Sequence, residues 1–271
     1  MTSHPFWKRC SSIAVLAFLT TIPVRGASLT CRFVDEHGKL LHDVETRLTP
    51  AGSDAHVFQK VNKQGEAVFH SLNPGAYELR AQLTAHMPLK WVLQFSDDQT
   101  LQLTLMTQQG FDKADKQAVD HINSGAYSKA APVLEKLLNA YPLDAELHDH
   151  LAKAYAEMGN EDQARAQAKQ AVGADPQFSD SPVAVERIIL VAHGNDALQK
   201  QDFPKAAEAF EALVKVDPQN AKGYFGLALA YGHQGNIQQA LPAINQAVEL
   251  DPKNDSYRKV QATLQAHAAG N

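Results

Sequence analysis

Residues 221–254, AKGYFGLALAYGHQGNIQQALPAINQAVELDPKN, decide the fold of this chain. Tyr224, Leu227 and Tyr231 recur at the spacing of one helical face. A Gly-Asn pair interrupts this pattern, and a second apolar helical face begins at Ala240. The stretch therefore predicts two amphipathic helices joined by a short turn, and the Asp-Pro pair that follows predicts the end of the unit.

Three more copies of this unit precede it and align on their closing prolines. The intervals between these prolines are 34, 42 and 34 residues, for Pro142, Pro176, Pro218 and Pro252. An alanine recurs at one equivalent position, where two helices would approach closely, as Ala130, Ala164, Ala206 and Ala240. The predicted repeats are residues 111–144, 145–178, 187–220 and 221–254, and residues 179–186 are an insertion that either lengthens a helix or forms a loop.

Large, small and aromatic residues at these offsets resemble the tetratricopeptide repeat (TPR). The resemblance implies an α-helical solenoid whose concave surface holds a protein or peptide partner of unknown identity. Residues 255–271 are expected to form a capping helix and tail, because their helical face is polar enough to close the end of a solenoid.

The TPR resemblance also places residues on the concave groove, which the first helix of each repeat lines. The principal candidates are Asp149, Lys153, Asn195, Lys222, Phe225, Leu229 and His233, with Asp115, Val119, Glu146 and Leu198 beside them. The family's set of Lys, Arg and Asn that clamps a peptide C-terminus is missing. Phe225 and Leu229 predict a groove for an apolar or amphipathic segment, unless the C-terminal helix folds back over them.

Residues 27–106 alternate between apolar and polar side chains, as in Leu101, Leu103 and Leu105. Turn signals separate about seven such runs, which predicts a small antiparallel β-sandwich. The short polar stretch 107–110 is the expected linker, so we expect a multi-domain β + α chain whose two halves fold separately.

The pattern around Gly65, Phe69, Pro74 and Tyr77 resembles the carboxypeptidase regulatory-like domain. That family is a transthyretin-like β-sandwich, and the resemblance implies an accessory domain without catalytic residues. The sequence departs from the family at residues 63–64 and 85–87, which weakens any inference about a ligand.

Residues 1–26 have the features of a secretory signal peptide. Lys8 and Arg9 precede a short apolar run, and small residues precede the expected cleavage after Gly26, within two residues. We therefore expect a periplasmic, cell-envelope or extracellular protein without a membrane span in the mature chain. Cys31 is expected to be a half-buried strand residue rather than a lipidation site.

The sequence predicts no catalytic, cofactor-binding or metal-binding residue. His42 and Glu45 match an HxxE zinc motif, but residues i and i+3 of a strand face opposite sides. We interpret His148 as a packing residue and His150 as solvated, and the formal net charge of −5 argues against nucleic acid as a partner.

These patterns favour an exported, non-enzymatic scaffold that binds a protein segment in the TPR groove. One alternative is a carbohydrate-binding envelope protein that acts through the sandwich, with Trp91 and Tyr77 as stacking residues. A second alternative is an enzyme that uses the HxxE motif.

Overall fold

The computed structural model describes residues 26–269, and the expected signal peptide, residues 1–26, lies outside them except for Gly26. Within that range, seven strands precede nine α-helices. The strands are β1 Ala27–Val34, β2 Glu45–Pro50, β3 Val57–Lys60, β4 Glu66–Leu72, β5 Gly75–Gln82, β6 Leu89–Phe95 and β7 Gln99–Thr104. The helices are α1 Gln108–Asn123, α2 Tyr127–Ala140, α3 Ala145–Glu157, α4 Glu161–Ala174, α5 Ser181–Gln199, α6 Phe203–Val216, α7 Ala221–His233, α8 Ile237–Leu250 and α9 Asp255–Ala269.

The strands form two sheets, with the orders β4-β1-β7 and β3-β2-β5-β6. Every pair is antiparallel except β1 and β7, which run parallel from Leu29 opposite Gln99 to Val34 opposite Thr104. The expected small antiparallel sandwich is therefore present, with one parallel pair in it. The chain reaches β7 from β6 in the other sheet, so no hairpin forces β7 to run against its neighbour.

The alternation seen in the sequence corresponds to the two faces of the second sheet. On β5, Tyr77, Leu79 and Ala81 point into the core, and the Tyr77 hydroxyl donates a hydrogen bond to the Asn73 carbonyl at 2.8 Å. Cys31 is fully buried rather than half-buried, and desolvation raises the pKa of its thiol to about 12.

Residues 107–110, expected to be a linker, form the cap and first turn of α1 instead. The Thr107 hydroxyl accepts a hydrogen bond from the Gly110 amide at 3.0 Å and donates one to the Glu36 carboxylate at 2.6 Å. The Met106 amide donates to the Tyr141 hydroxyl at 2.8 Å, and the Tyr141 ring lies edge-on to Phe111. The sandwich and the first repeats therefore share one continuous core.

The discontinuity in the core lies inside α5. Six of the eight inserted residues, 181–186, lengthen this helix, and the other two form the turn before it. Val185 and Ile189 pack with the sandwich and the first two repeats, whereas Leu190 and Val191 contact the core of the last two. Successive residues of a helix point about 100° apart, so one apolar stretch of α5 can serve both cores.

The repeat register is visible in the packing of each helix pair. The four recurring alanines are completely buried. One turn beyond Ala206, Phe210 inserts the tip of its ring between α5 and α7, where Gly194 and Gly226 face it. A β-carbon on either glycine would lie 2.5 Å from the ring. The third repeat therefore accommodates the large Phe210 side chain because the two residues that face it are glycines.

Candidate functional site

The predicted groove residues lie on α1, α3, α5 and α7, the first helices of the four repeats. At the N-terminal end of this groove, Asp149 is buried. One oxygen of the Asp149 carboxylate accepts a hydrogen bond from the Lys153 ammonium at 2.6 Å. Lys153 is more exposed than Asp149, so this ion pair leaves a partly accessible cation on the surface of α3.

Asp115, on the neighbouring helix α1, is the most unusual charged group in this region. Its Oδ1 atom is inaccessible to solvent and has no hydrogen-bond partner within residues 26–269. Desolvation raises the pKa of Asp115; the nearby His150 opposes this shift, and the Glu146 carboxylate adds to it. An unpaired carboxylate oxygen that is buried in this way carries a free-energy cost in the folded protein.

His150 is the residue of this region that the sequence analysis missed. It was expected to be solvated, yet it is half-buried and its Nδ1 atom has neither solvent contact nor a hydrogen-bond partner in the part of the chain that the structure describes. The interaction of His150 with Asp115 joins α3 to α1 across 35 residues, and no local pattern signals such a pair. His148, by contrast, is a packing residue as expected, since it is buried and its Nε2 donates to the Pro142 carbonyl at 3.0 Å.

The middle of the predicted groove is polar. Asn195 is exposed on α5, Leu198 is half-buried beside it, and Lys222 is exposed in the first turn of α7. These side chains are not drawn into one cluster with Asp149 by any hydrogen bond among residues 26–269. They line a surface rather than a preformed pocket.

The C-terminal end of the groove separates Phe225 from Leu229. The Phe225 ring packs on the Tyr257 ring of α9, with 4.8 Å between their centroids. For Phe225, the C-terminal helix therefore folds back over the predicted groove, which was one of the two alternatives left open by the sequence. Leu229 instead lines an open groove of about 500 Å³ between α7 and α9, whose walls also include Ile237, Val260 and Leu264. His233 stands at this groove and stacks on Phe203 at 4.7 Å.

The residues of the two alternative functions lie elsewhere. His42 and Glu45 are both exposed, at the start of β2, and no group of three His, Cys, Asp or Glu within residues 26–269 is arranged to hold a metal ion. Tyr77 is buried and Trp91 is half-buried against the sandwich core. Both rings belong to core packing, so a sugar-stacking surface would need other aromatic residues.

Comparison with protein families identifies the helical repeats. Residues 121–184 and residues 191–255 each match a tetratricopeptide repeat model, so these two segments of the helical array contain tetratricopeptide repeats. The gap between the two matches falls on the stretch of α5 where the two cores meet. Such repeat proteins are generally non-catalytic scaffolds that bind protein partners. None of the helices described is long and apolar enough to cross a membrane.

Individual curated relatives match less than half of this chain. The chain is 31% identical over 121 residues to cellulose synthase operon protein C of Escherichia coli (strain K12), a match to 42% of this chain and 10% of that protein. It is 34% identical over 113 residues to peroxisome biogenesis protein 5 of Arabidopsis thaliana, covering 42% of this chain and 15% of the relative. The chain thus spans a small fraction of the curated relatives that it matches.

One solved structure that the comparison finds similar to this chain is MamA from Desulfovibrio magneticus RS-1. It is 20% identical, covers 58% of this chain and 85% of its own, and has a TM-score of 0.36.

Proposed function

We propose that this chain is an exported scaffold protein that holds a segment of a partner protein along the first helices of its tetratricopeptide repeats. The observation that carries the proposal is the open groove beside Leu229. Its apolar walls come from α7, α8 and α9, and a volume of about 500 Å³ accommodates large apolar side chains from a partner.

The two ends of the surface differ in chemistry, and this difference specifies the segment. The N-terminal end is charged: Asp115 is half-buried near Glu146, and Lys153 of the Asp149 ion pair is partly accessible. The C-terminal end presents Leu229 in an apolar groove. A segment with a hydrogen-bond donor or cation at one end and an apolar anchor at the other complements both.

Export and the accessory role of the sandwich belong to the same proposal. Lys8 and Arg9, the apolar run after them and the small residues before residue 27 support a cleaved signal peptide. The sandwich supports the resemblance to the carboxypeptidase regulatory-like domain through its seven strands in two sheets. Intact mass of the protein recovered from the cell envelope tests export: cleavage within two residues of Gly26 is expected, and a full-length cytoplasmic product would contradict it.

Replacement of Leu229 by Ser tests the groove. Leu229 is half-buried and lines an open volume, so the variant is expected to fold, whereas the loss of an apolar anchor site weakens partner binding by about 2 kcal/mol. Phe225 is unsuitable for this test, because its ring holds Tyr257 and α9 in place.

Leu143→Ser is the matched control, since Leu143 is an exposed leucine in the turn between α2 and α3. Both variants are compared by thermal unfolding and by crosslinked affinity capture from the native envelope. Weaker capture by Leu229→Ser alone supports the proposal. Equal capture by both folded variants places the binding site elsewhere.

A further inference from the structure

A row of basic side chains crosses the outer face of the second sheet. Strand register places Arg47 of β2 opposite Arg80 of β5, and Arg80 opposite Lys90 of β6. Because Leu48, Leu79 and Leu89 of the same strands point into the core, the three basic residues share the outer face. The row continues to the edge strand β3, where Phe58 lies opposite Arg47.

The free protein neutralises this row only in part. Glu78 accepts a hydrogen bond from Arg80 at 2.6 Å and forms an ion pair with Lys90 at 3.2 Å. Arg47 has no ion pair within residues 26–269, although it stands directly beside Arg80. Like charges directly opposite one another on neighbouring strands are destabilising, so the row carries an unfavourable interaction that a bound anion would relieve.

Phe58 adds an apolar contact to the same row. Its side chain is 65% exposed, more than any other large apolar residue in the part of the chain that the structure describes. It borders a shallow groove of about 520 Å³ on the outer face, and Arg47, Arg80 and Lys90 line the same groove. An exposed aromatic ring at the end of a basic row is a combination typical of interaction surfaces.

We propose that the row formed by Phe58, Arg47, Arg80 and Lys90 binds an acidic polypeptide segment, at a surface separate from the tetratricopeptide repeats. Three strands at a spacing of about 4.8 Å place the three cations along roughly 10 Å. Two carboxylates at alternating positions of an extended peptide, about 6.8 Å apart, fit within that length. The Arg47 guanidinium binds one carboxylate in a bidentate manner, Lys90 binds the second, and Phe58 packs on an apolar side chain of the segment.

The surrounding charge favours a short acidic segment over a long polyanion. Residues 27–106 contain seven Lys or Arg against nine Asp or Glu, and the whole chain has a formal charge of −5. Glu45 and Glu78 flank the row on the same face. A polyanion would extend beyond the row into these carboxylates, whereas two carboxylates with neutral neighbours would contact the cations alone.

The test uses the full chain and a fluorescein-labelled synthetic peptide with Glu at two alternating positions and one Leu. Binding is measured by fluorescence anisotropy, at low salt and at about 0.15 M salt, where surface electrostatics act over only about 8 Å. The Arg47→Gln variant loses a charge but no ion pair and is expected to bind the peptide roughly tenfold more weakly. Phe58→Ser tests the apolar contact in the same assay.

Arg32→Gln is the control for the loss of one positive charge, because Arg32 lies on the other sheet, where it is exposed and forms an ion pair with Glu66 at 2.7 Å. The proposal is supported if Arg32→Gln and Leu229→Ser bind the peptide with unchanged affinity and if a peptide with Gln in place of both Glu residues does not bind. Equal affinity of Arg47→Gln and the unmodified chain overturns it. Tighter binding of polyglucuronate than of the peptide overturns it in favour of a polysaccharide. Self-association that Arg47→Gln abolishes overturns it in favour of a second copy of the chain.

Discussion

Replacement of Gly226 by Ala should destabilise the third and fourth repeats through a single side chain, Phe210. An added β-carbon at Gly226 would lie 2.5 Å from Cζ of the ring. On the α5 side, the ring already occupies the space that a β-carbon of Gly194 would fill. The ring is also almost completely buried, so no solvent-filled space is open to it.

Two opposing terms set the size of the effect. Alanine in a helix interior is more favourable than glycine by about 1 kcal/mol. Overpacking of a tight core costs about 1–3 kcal/mol. We therefore expect a net destabilisation of up to about 2 kcal/mol for Gly226→Ala.

A double-mutant cycle with Phe210→Leu isolates the clash, because leucine lacks the ring tip that the new methyl group would meet. Urea unfolding monitored by circular dichroism gives the four free energies of unfolding. The coupling between the two positions should be about 1–3 kcal/mol. Gly173→Ala is the control: this exposed glycine of α4 has no atom within 4 Å of the added carbon, so its replacement should stabilise the protein by up to about 1 kcal/mol. A coupling energy near zero would refute the packing described for Phe210.

Four further outcomes follow from the packing and the titratable groups. Ala240→Leu should lower the free energy of unfolding by about 1–3 kcal/mol in a denaturant titration, and an unchanged value would show the repeat register to be wrong. Tyr141→Phe removes the acceptor of the Met106 amide and should cost about 1–3 kcal/mol in the same titration, with a negligible change if water replaces the hydroxyl. Desolvation raises the pKa of Asp115 in the folded state, so folding favours its protonated form and the free energy of unfolding falls as pH rises above the ordinary pKa of 3.8. Asp115→Asn should therefore raise Tm at pH 7, and this gain should shrink towards pH 4. Cys31 should react with a thiol reagent only after unfolding, because burial raises its pKa to about 12, and rapid labelling of the native protein would contradict its position in the core.

The helical half of the molecule was predictable because its information is local and repeated. Each repeat contains a helix pair whose apolar face is visible within 34 residues, and the buried alanines of all four units fall at the expected position. The family models match two segments of this region. The alternation of Tyr77, Leu79 and Ala81 was informative for the same reason, since the two faces of a strand are read from neighbouring residues.

The candidate groove was predictable only as a set of positions. Register placed Phe225 and Leu229 on the same side of α7, one turn apart, yet α9 packs on the first and leaves the second at an open groove. Which of the two residues is covered depends on where α9 packs against α7. Contacts such as that between Phe225 and Tyr257 decide this position. Asp115 and His150 show the same limit, because their proximity arises from the tertiary arrangement of the first two repeats, in which α2 packs against both α1 and α3.

The sequence by itself determined the repeat period, the sandwich and the order of the elements, because helical and strand periodicities are properties of neighbouring residues. Only the tertiary structure decided how these units divide into cores. The polar stretch 107–110 looked like a linker, but Thr107 is bound to Glu36 and Met106 to Tyr141, so the sandwich is fused to the first two repeats. The break falls within α5 instead, where Ile189 and Leu190 pack into different cores. Contacts between residues far apart in the chain determine such boundaries, and a composition shift along the chain does not record them.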